Sequence, residues 1–332
     1  MMLVESCPQK TWQHVNSARQ RGLLTGCVPT MGALHQGHVS LMQRARLDCG
    51  FVTATIFVNP TQFGPQEDFS KYPRTLEADL ELCRQAGVDL VFTPQTDRMY
   101  ASDAETTVRV GRLSTVLEGA HRPGHFDGVT TVVTKLLLIT QPERAYFGQK
   151  DFQQQLIVKR MVRDLNIPTE IVTCPIIRES DGLAMSSRNR YLSSVERQTA
   201  TSLWGALQLA QQLCGQSQAV PAAVEQQMQQ KLLQTAGVEL QYAVLADPAT
   251  LLPHLSDIQA LADSEKEALS FLAAPAYREA VERRRLIAMF AAADGTRHVA
   301  GYVLFSGVFP YARIQQIVVA KDHRRSGIAR AL

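Results

Sequence analysis

The chain has 332 residues, long enough for two domains or for one large α/β domain with an appendage. Hydrophobic residues make up 45% and charged residues 20%, the balance of a globular protein able to bury real cores. A net charge of +3 is too weak to call for a nucleic-acid surface. Cys7, Cys27, Cys49, Cys83, Cys174 and Cys214 show no CxxC spacing, which speaks against a zinc ribbon or a disulfide framework and for a reducing cytoplasm. The N-terminus, MMLVESCPQKTWQ, has no signal-peptide core, and no apolar run approaches the ~20 residues of a membrane helix. The expectation is a cytoplasmic protein with neither a nucleic acid nor a membrane as partner.

Taken in chain order, LLTGCVPT (23–30) and FVTATIFV (51–58) are β-branched runs of the kind that form buried parallel strands. Between them GHVSLMQRARLDC spaces Val39, Leu41, Met42 and Ala45 for a helix. RTLEADLELCRQAG predicts a further helix with Gly87 as its stop, followed by a strand at VDLVFTP. GVTTVVTKLLLIT reads as an apolar helix, RAYFG as a strand, DFQQQLIVKRMVRDL as a helix and EIVTCPIIRE as another strand. Strand and helix alternating with short joins predict a doubly wound, Rossmann-like α/β sheet over 1–191.

After Tyr191 the texture changes. Ser193 or Ser194 caps a helix, with Glu196 at capping-box spacing from Ser193. The Gln-rich VEQQMQQKLLQTAG continues as helix and VELQYAVLAD as a strand, which makes a small α+β segment over 192–257. In the last segment, 258–332, ADSEKEALSFLAAPAYREAVERRR is helical, and LIAMFAAADGTRHVAGYVLF is a hairpin turning on Asp294-Gly295. ARIQQIVVAKDHRRSGIARAL reads as a strand, a turn and the start of a helix.

The chemistry concentrates where strands end. After the strand that finishes near Pro29, Gly32 and Gly37 let the backbone turn tightly. The helix beginning near Gly37 directs its free N–H groups and dipole toward the turn, a seat for phosphate. His35 and His38 flank that seat. They would make a zinc pair only with further ligands, and no carboxylate or cysteine stands at a completing spacing. A buried structural pair is the other alternative to phosphate donors.

Partner motifs favour the phosphate. FGQKD (147–151) ends a strand and offers Lys150 as a cation, with Asp151 starting the next helix. AMSSRNRYL (184–192) adds two hydroxyls and the guanidinium of Arg188, suited to a triphosphate. FVNPTQFG supplies Asn59 and Gln62 for a small hydroxylated substrate, and HRPGHFDGVTTVV supplies Arg122 and His125. These five loops are expected to converge on one sheet edge.

PTMGALHQGH, FVNPTQFG, YPRTLEADL, RPGHFDGV, FGQKD followed by QQ, and DGLAMSSRNRYLS together resemble the pantothenate synthetase family, in order and interval, from about residue 1 to residue 250. The HxGH element alone is shared with nucleotidyltransferases and class I aminoacyl-tRNA synthetases. The resemblance implies a pantoate–β-alanine ligase that adenylates D-pantoate with Mg-ATP, releases pyrophosphate, and lets β-alanine displace AMP. It also implies a cytoplasmic homodimer, an HxGH-type Rossmann-like domain with a smaller lid, and no tightly bound cofactor. Carried over by motif position, His35 and His38 contact the ATP phosphates. Lys150, Ser186, Ser187 and Arg188 bind the β- and γ-phosphates and complete the catalytic set. Pro29, Thr30, Met31, Gly32, Gly148, Gln149, Asp151 and Met185 belong to the ATP site. Gln62 and Gln154 hold pantoate, with Asn59 and Arg122 beside them. Protein ligands for the metal are not specified by the motifs.

The C-terminal part departs from that pattern. The Arg-Leu-Ile-Asp-Asn-like end of the lid is missing, and 265–332 resembles the first part of a GNAT-type N-acetyltransferase. Arg324, Gly327 and Ala329 match that family's R/Q-x-x-G-x-G/A loop, which holds the acetyl-CoA pyrophosphate. The alternatives to an active ligase are a non-catalytic nucleotide or acyl-CoA sensor and a truncated bifunctional ligase-acetyltransferase. A tRNA-charging relative would be expected to carry an RNA-binding extension, and none is visible in the sequence.

Overall fold

The computed structural model describes residues 2–65, 67–215 and 220–251, and beyond them the backbone of three strands. The chain forms two compact units, one of residues 1–209, 229–242 and 249–251, the other of 210–228, 243–248 and 252–332.

The first unit is built on six parallel strands: β1 (Leu3–Glu5), β2 (Thr25–Thr30), β3 (Phe51–Ile56), β4 (Leu90–Phe92), β5 (Arg144–Gly148) and β6 (Glu170–Cys174). Their spatial order is β1-β4-β3-β2-β5-β6. Helices α1 (Pro8–Gln20), α2 (Gln36–Asp48), α3 (Leu76–Gln85), α4 (Thr96–Met99), α5 (Glu118–His121), α6 (His125–Thr140) and α7 (Phe152–Asp164) lie between the strands in sequence. Further along the chain come α8 (Ser194–Ala200), α9 (Ser202–Cys214) and α10 (Pro221–Leu233).

Alternation along the strands divides the core in two. Ala145 and Phe147 of β5 pack with α6 and α7 through Val129, Val133, Leu137, Ile157 and Met161. Tyr146 faces the other way, with Val39, Met42 and Ala45 of α2 and Cys83 of α3. Both faces of the sheet are therefore covered, as a parallel sheet requires.

The strand order reverses between β2 and β5. The chain first moves outward from β2 to β3 and β4, then returns to place β5 on the other side of β2. Pairing between β2 and β5 stops at Cys27↔Ala145, whereas β2 and β3 stay paired as far as Thr30↔Ile56. That opens a crevice at the carboxyl ends of β2 and β5, the topological switch point where open α/β sheets bind ligands. Pro29 lies inside a central strand, a position proline normally avoids. The Thr30 carbonyl accepts from Phe57 N–H on the β3 side, so Pro29 faces β5, where the ladder has already ended and no N–H is needed.

Several elements follow the sequence expectation closely. β5 forms over RAYFG, and Gly87 ends the α3 region with φ +77°. Ser193 caps α8 in a reciprocal capping box with Glu196. Sequence patterning did not predict β1 and α1. The signal was present: Pro8 occupies the first turn of α1, where a missing N–H is harmless, and Thr11, Val15 and Ala18 make its buried stripe. The strand expected over 238–247 does not form. Among the described residues the segment enters only a one-residue bridge at Ala246, and a strand without a ladder does not persist.

In the second unit, β7 (Leu286–Ala291), β8 (His298–Ser306) and β9 (Arg313–Val319) make an antiparallel sheet in that order. Its β7–β8 pair is the expected hairpin. The Asp294-Gly295 turn, the helix expected from 262 to 285, and Arg324, Gly327 and Ala329 lie outside the described residues. Among the described residues no helix is long and apolar enough to cross a membrane.

Candidate active site

The crevice between β2 and β5 holds a cavity of about 250 Å³. Pro29, Thr30, Met31, His35, His38, Asn59, Gln62, Arg122, Gly148, Lys150, Asp151, Gln154, Met185, Ser186, Ser187 and Arg188 line it, so all five loops singled out in the sequence converge. Gly32 is buried off the cavity wall, and Gln149 is exposed beside it.

The two histidines are fixed by each other's backbone. His35 is the N-cap of α2, and its Nδ1 accepts from Gly37 N–H at 3.1 Å. His38 Nδ1 accepts from His35 N–H at 3.3 Å, which completes a capping box built from imidazoles. With each Nδ1 acting as acceptor, the neutral ring carries its proton on Nε2. Burial keeps both rings neutral: it is the first cause lowering the His35 pKa, followed by the nearby Lys150 charge. His38 is pushed down to about 3 by burial and then by His35. The pair therefore offers two uncharged Nε2–H donors. Gly37 is required because a Cβ there would lie 2.8 Å from His35 Cε1.

One element of the sequence reading changes here. The N–H groups at the start of α2, read as the phosphate seat, are engaged internally: His35 and Gly37 donate to imidazole nitrogens, and His38 N–H to the His35 carbonyl at 2.8 Å. An imidazole cap removes the orphan donors that a bare helix start would present. The rings are left with their Nε2–H groups facing the cavity.

A second polar group surrounds Gln62. Asn59 is only 1% exposed, and its Nδ2 donates to Gln62 Oε1 and to the Gly128 carbonyl, each at 3.1 Å. Its Oδ1 accepts from Tyr100 Oη at 2.8 Å and from Thr61 Oγ1 at 3.0 Å. Gln62 Nε2 reaches Met31 Sδ at 2.9 Å, which ties this group to the histidine turn. His125, expected on a loop, is the first residue of α6. Its Nδ1 donates to the Gln62 carbonyl at 2.8 Å, so its Nε2 accepts from Arg122 Nη1 at 3.2 Å. Burial, first, and then the Arg122 charge keep this ring neutral against the opposing effect of the carbonyl.

Both site arginines already grip carboxylates. Arg122 is bidentate to Glu67, at 2.8 and 2.6 Å, and its Nη1 also faces Glu118 at 3.4 Å. Arg188 is bidentate to the adjacent Asp68, at 2.9 and 2.8 Å, and lies over the Tyr72 ring. These forks hold the Glu67 and Asp68 carboxyls below the usual carboxylate range. Arg122 is thus a brace used on every side, while Arg188 keeps its Nη1 edge outside the fork.

On the β5 side, Gly148 is followed by a 3-10 turn (Gln149–Asp151) that presents Lys150 and leads into α7. Lys150 Nζ lies 3.1 Å from Asp151 Oδ1. After β6, Ser186 accepts from Arg188 N–H at 3.3 Å and caps a 3-10 turn over Ser187–Tyr191. Ser187 is buried, with its hydroxyl 3.2 Å from Tyr72 Oη. Sequence reasoning did not single out Tyr72, Tyr100, Glu67, Asp68, Asp79 or Gly128. Gly128 sets how closely α6 approaches the 60–62 turn, because a Cβ there would run into the Thr61 carbonyl. Its signal was a glycine early in an otherwise β-branched helix.

The pantoate-beta-alanine ligase family matches residues 4–289, and the GNAT acetyltransferase family matches 255–332. The ligase match therefore runs past the point near 250 where the sequence motifs end and overlaps the acetyltransferase match. The chain is 53% identical over 240 residues to the pantothenate synthetase of Moorella thermoacetica, covering 72% of this chain and 85% of the relative. The pantothenate synthetase structure from Thermus thermophilus superposes with a TM-score of 0.72 at 45% identity, over 76% of this chain and 90% of that one. The pantoate-beta-alanine ligase of Francisella tularensis, solved with β,γ-ATP and β-alanine, superposes with a TM-score of 0.61 at 25% identity, over 97% and 98% of the two chains.

Proposed function

The chain belongs to the pantoate–beta-alanine ligase family, and from that premise we propose how its cavity carries out the reaction. It is an ATP-dependent enzyme that joins D-pantoate to β-alanine. A carboxylate is a poor acylating agent because oxide would have to leave. A pantoate carboxylate oxygen attacks the α-phosphorus, the bond to the β-phosphate bridging oxygen breaks, and pyrophosphate departs. The β-alanine amine then adds to the acyl carbon, loses a proton, and AMP leaves with the former carboxylate oxygen. No covalent nucleophile on the protein is needed.

The roles follow from donor chemistry. His35 and His38 give Nε2–H donors to the phosphates, where charge builds as pyrophosphate departs. Lys150, Ser186, Ser187 and the free edge of Arg188 bind the β- and γ-phosphates. Pro29, Thr30, Met31, Gly148, Asp151 and Met185 shape the nucleotide side, with Gly32 and Gln149 behind it. Gln62 and Gln154 hold pantoate, Asn59 orients the Gln62 amide from beside it, and Arg122 braces the group through His125. Holding the two reactants in line is worth about 7–11 kcal/mol. The observation that carries this reading is the convergence of two neutral Nε2–H donors and the Asn59–Gln62 amides on one cavity at the switch point.

ATP enters with Mg²⁺ in this proposal. Among the described residues no three His, Cys, Asp or Glu side chains group to hold a metal, and Asp151 is the carboxylate on the cavity wall. That donor set suits an ion carried on phosphate oxygens and water. The working form is a cytoplasmic homodimer, with an ATP/pantoate domain over 1–191, a lid segment over 192–257 and a GNAT-like segment over 258–332. The acetyltransferase match favours a second reading of that last segment, acyl-CoA binding around Arg324, Gly327 and Ala329. Calorimetry of the full chain with acetyl-CoA, beside Arg324→Ala, tests it: no heat from the unaltered chain removes it.

The main test is pyrophosphate release from Mg-ATP and D-pantoate, with and without β-alanine, beside Lys150→Ala. Release should need pantoate, continue through many turnovers with β-alanine, and fall by about 10²–10³ in the variant. ATP binding without pantoate-dependent release would overturn the assignment and favour a sensor.

A further inference from the structure

Asp79 lies outside the ligand cavity, on α3, yet both of its carboxylate oxygens are aimed at the histidine turn. The residue is 2% exposed. Its Oδ2 accepts from Ala33 N–H at 2.9 Å and its Oδ1 from Leu34 N–H at 2.8 Å, with Thr75 Oγ1 donating to Oδ1 at 3.1 Å. The turn it meets is strained in the one region where strain counts: Gly32 has φ +81° and Ala33, which carries a Cβ, has φ +48°. Successive N–H groups of a turn with this handedness converge into a concave anion seat. Here that seat holds a carboxylate of the protein itself.

The accounting of N–H groups through the turn is close to complete. Gly32 donates to Thr30 Oγ1 at 3.2 Å, Ala33 and Leu34 to Asp79, His35 to His38 Nδ1, and Gly37 to His35 Nδ1. With those N–H groups engaged, the Nε2–H faces of the two imidazoles are the side-chain donors that the turn offers a ligand. Their aim depends on the conformation of Ala33 and Leu34, the residues just before His35. An acid in the first turn of a helix is ordinarily a dipole partner. Asp79 instead sends both oxygens across to a segment 45 and 46 residues away.

Resting on the assignment of His35 and His38 to the phosphates, we infer that Asp79 is a positioning residue for the adenylation step. It fills the anion seat of the turn, holds Ala33 in its left-handed conformation, and so fixes both imidazoles against the ATP phosphates. A carboxylate suits the task because it accepts at both oxygens. An amide would place an N–H donor against one of the two backbone donors. Gly32 serves the same contact, since a Cβ there would lie 3.0 Å from Asp79 Oδ2.

The test is Asp79→Asn in the full chain, with active sites counted by the single-turnover burst of pyrophosphate. The expected result is a loss of at least tenfold in kcat per active site, an ATP KM within twofold of the unaltered chain, and displaced imidazole NMR signals of His35 and His38. Those signals are assigned from His35→Gln and His38→Gln. Normal kcat per remaining active site would reduce Asp79 to a packing residue and overturn the inference. So would lost rate with unmoved imidazole signals. Thr75→Ala removes a single contact to the carboxylate and covers the case of an unfolded Asn variant: a two- to fivefold fall in kcat is expected, and unchanged kcat with unmoved signals refutes the idea. The NMR arm needs no turnover. If the unaltered chain releases no pyrophosphate, the assigned reaction fails, while the displaced signals still report on the clamp.

Discussion

Residues 30–38 hold two imidazoles through backbone N–H groups, whereas the group around Gln62 is held by side chains from several separate segments. The first construction is short-range and reciprocal, with caps closing over three residues between His35 and His38. The second collects Asn59, Tyr100, Arg122, His125 and the Gly128 carbonyl by single bonds. A site built from backbone caps fails as a unit. A site built from single side-chain bonds fails by degrees, and the two should separate in kinetics.

The largest effect is expected at the rings. His38→Ala removes a donor and leaves the His35 N–H without its cap, so kcat for pyrophosphate release should fall by about 10²–10³, with little change in pantoate KM. A mainly KM effect would place His38 in ground-state binding and erase the contrast. Gly37→Ala comes next. The His35 ring must move away from the new methyl, and a displacement of this kind costs on the order of 10²-fold or less in kcat, read in the same assay.

Gln62→Ala should act on the other kinetic constant. It deletes the amide proposed to hold pantoate, worth about 0.5–1.5 kcal/mol, and pantoate KM should rise by roughly 2- to 13-fold while ATP KM holds. His125→Phe removes the bond to the Gln62 carbonyl and the acceptor for Arg122, on a ring whose two nitrogens are both engaged by the protein. Its effect on pantoate KM should be smaller, about threefold. An effect larger than that of Gln62→Ala would mean that the network acts as one body.

The smallest effect concerns acid stability. The folded pKa of His38, about 3, lies below its unfolded value near 6.5. Between those values the unfolded chain binds the extra proton, so stability falls as pH drops through that window. Glu67 and Asp68, with pKa values lowered by Arg122 and Arg188, lose stability in the same direction as they protonate. His38→Gln keeps an acceptor for the His35 N–H and removes only the ring's share. Thermal melts from pH 7 to pH 4 should decline less steeply in the variant. Parallel declines would show that His38 takes up protons freely in the folded state.

The opposed constructions also explain what could be read early. The histidine turn and Lys150 before α7 each sit within a few residues of a strand end, and the Ser186–Arg188 turn is a compact run of hydroxyls and a guanidinium, so local sequence exposed them. The Gln62 group was only half legible. Asn59 and Gln62 share a turn, but Tyr100 carries no mark of that role in its own surroundings, and Gly128, a glycine early in α6, shows a close approach without showing what approaches. Glu67 and Asp68 read as an ordinary acidic pair, and nothing local shows that they fill the Arg122 and Arg188 forks.

The sequence by itself determined the alternation of strands and helices, the apolar stripes that cover both faces of the sheet, and the imidazole pair at a helix start. Those features depend on periodicity and on hydrogen bonds closing over three or four residues. Strand order was decided only in the tertiary structure. Placing β5 beside β2 opened the crevice, the β2-β3-β4 side of the sheet brought Asp79 of α3 to the histidine turn, and the packing of α6 set Gly128 against the Thr61 carbonyl. Contacts that span 45 residues or more depend on which strands become neighbours, and no local pattern encodes that choice.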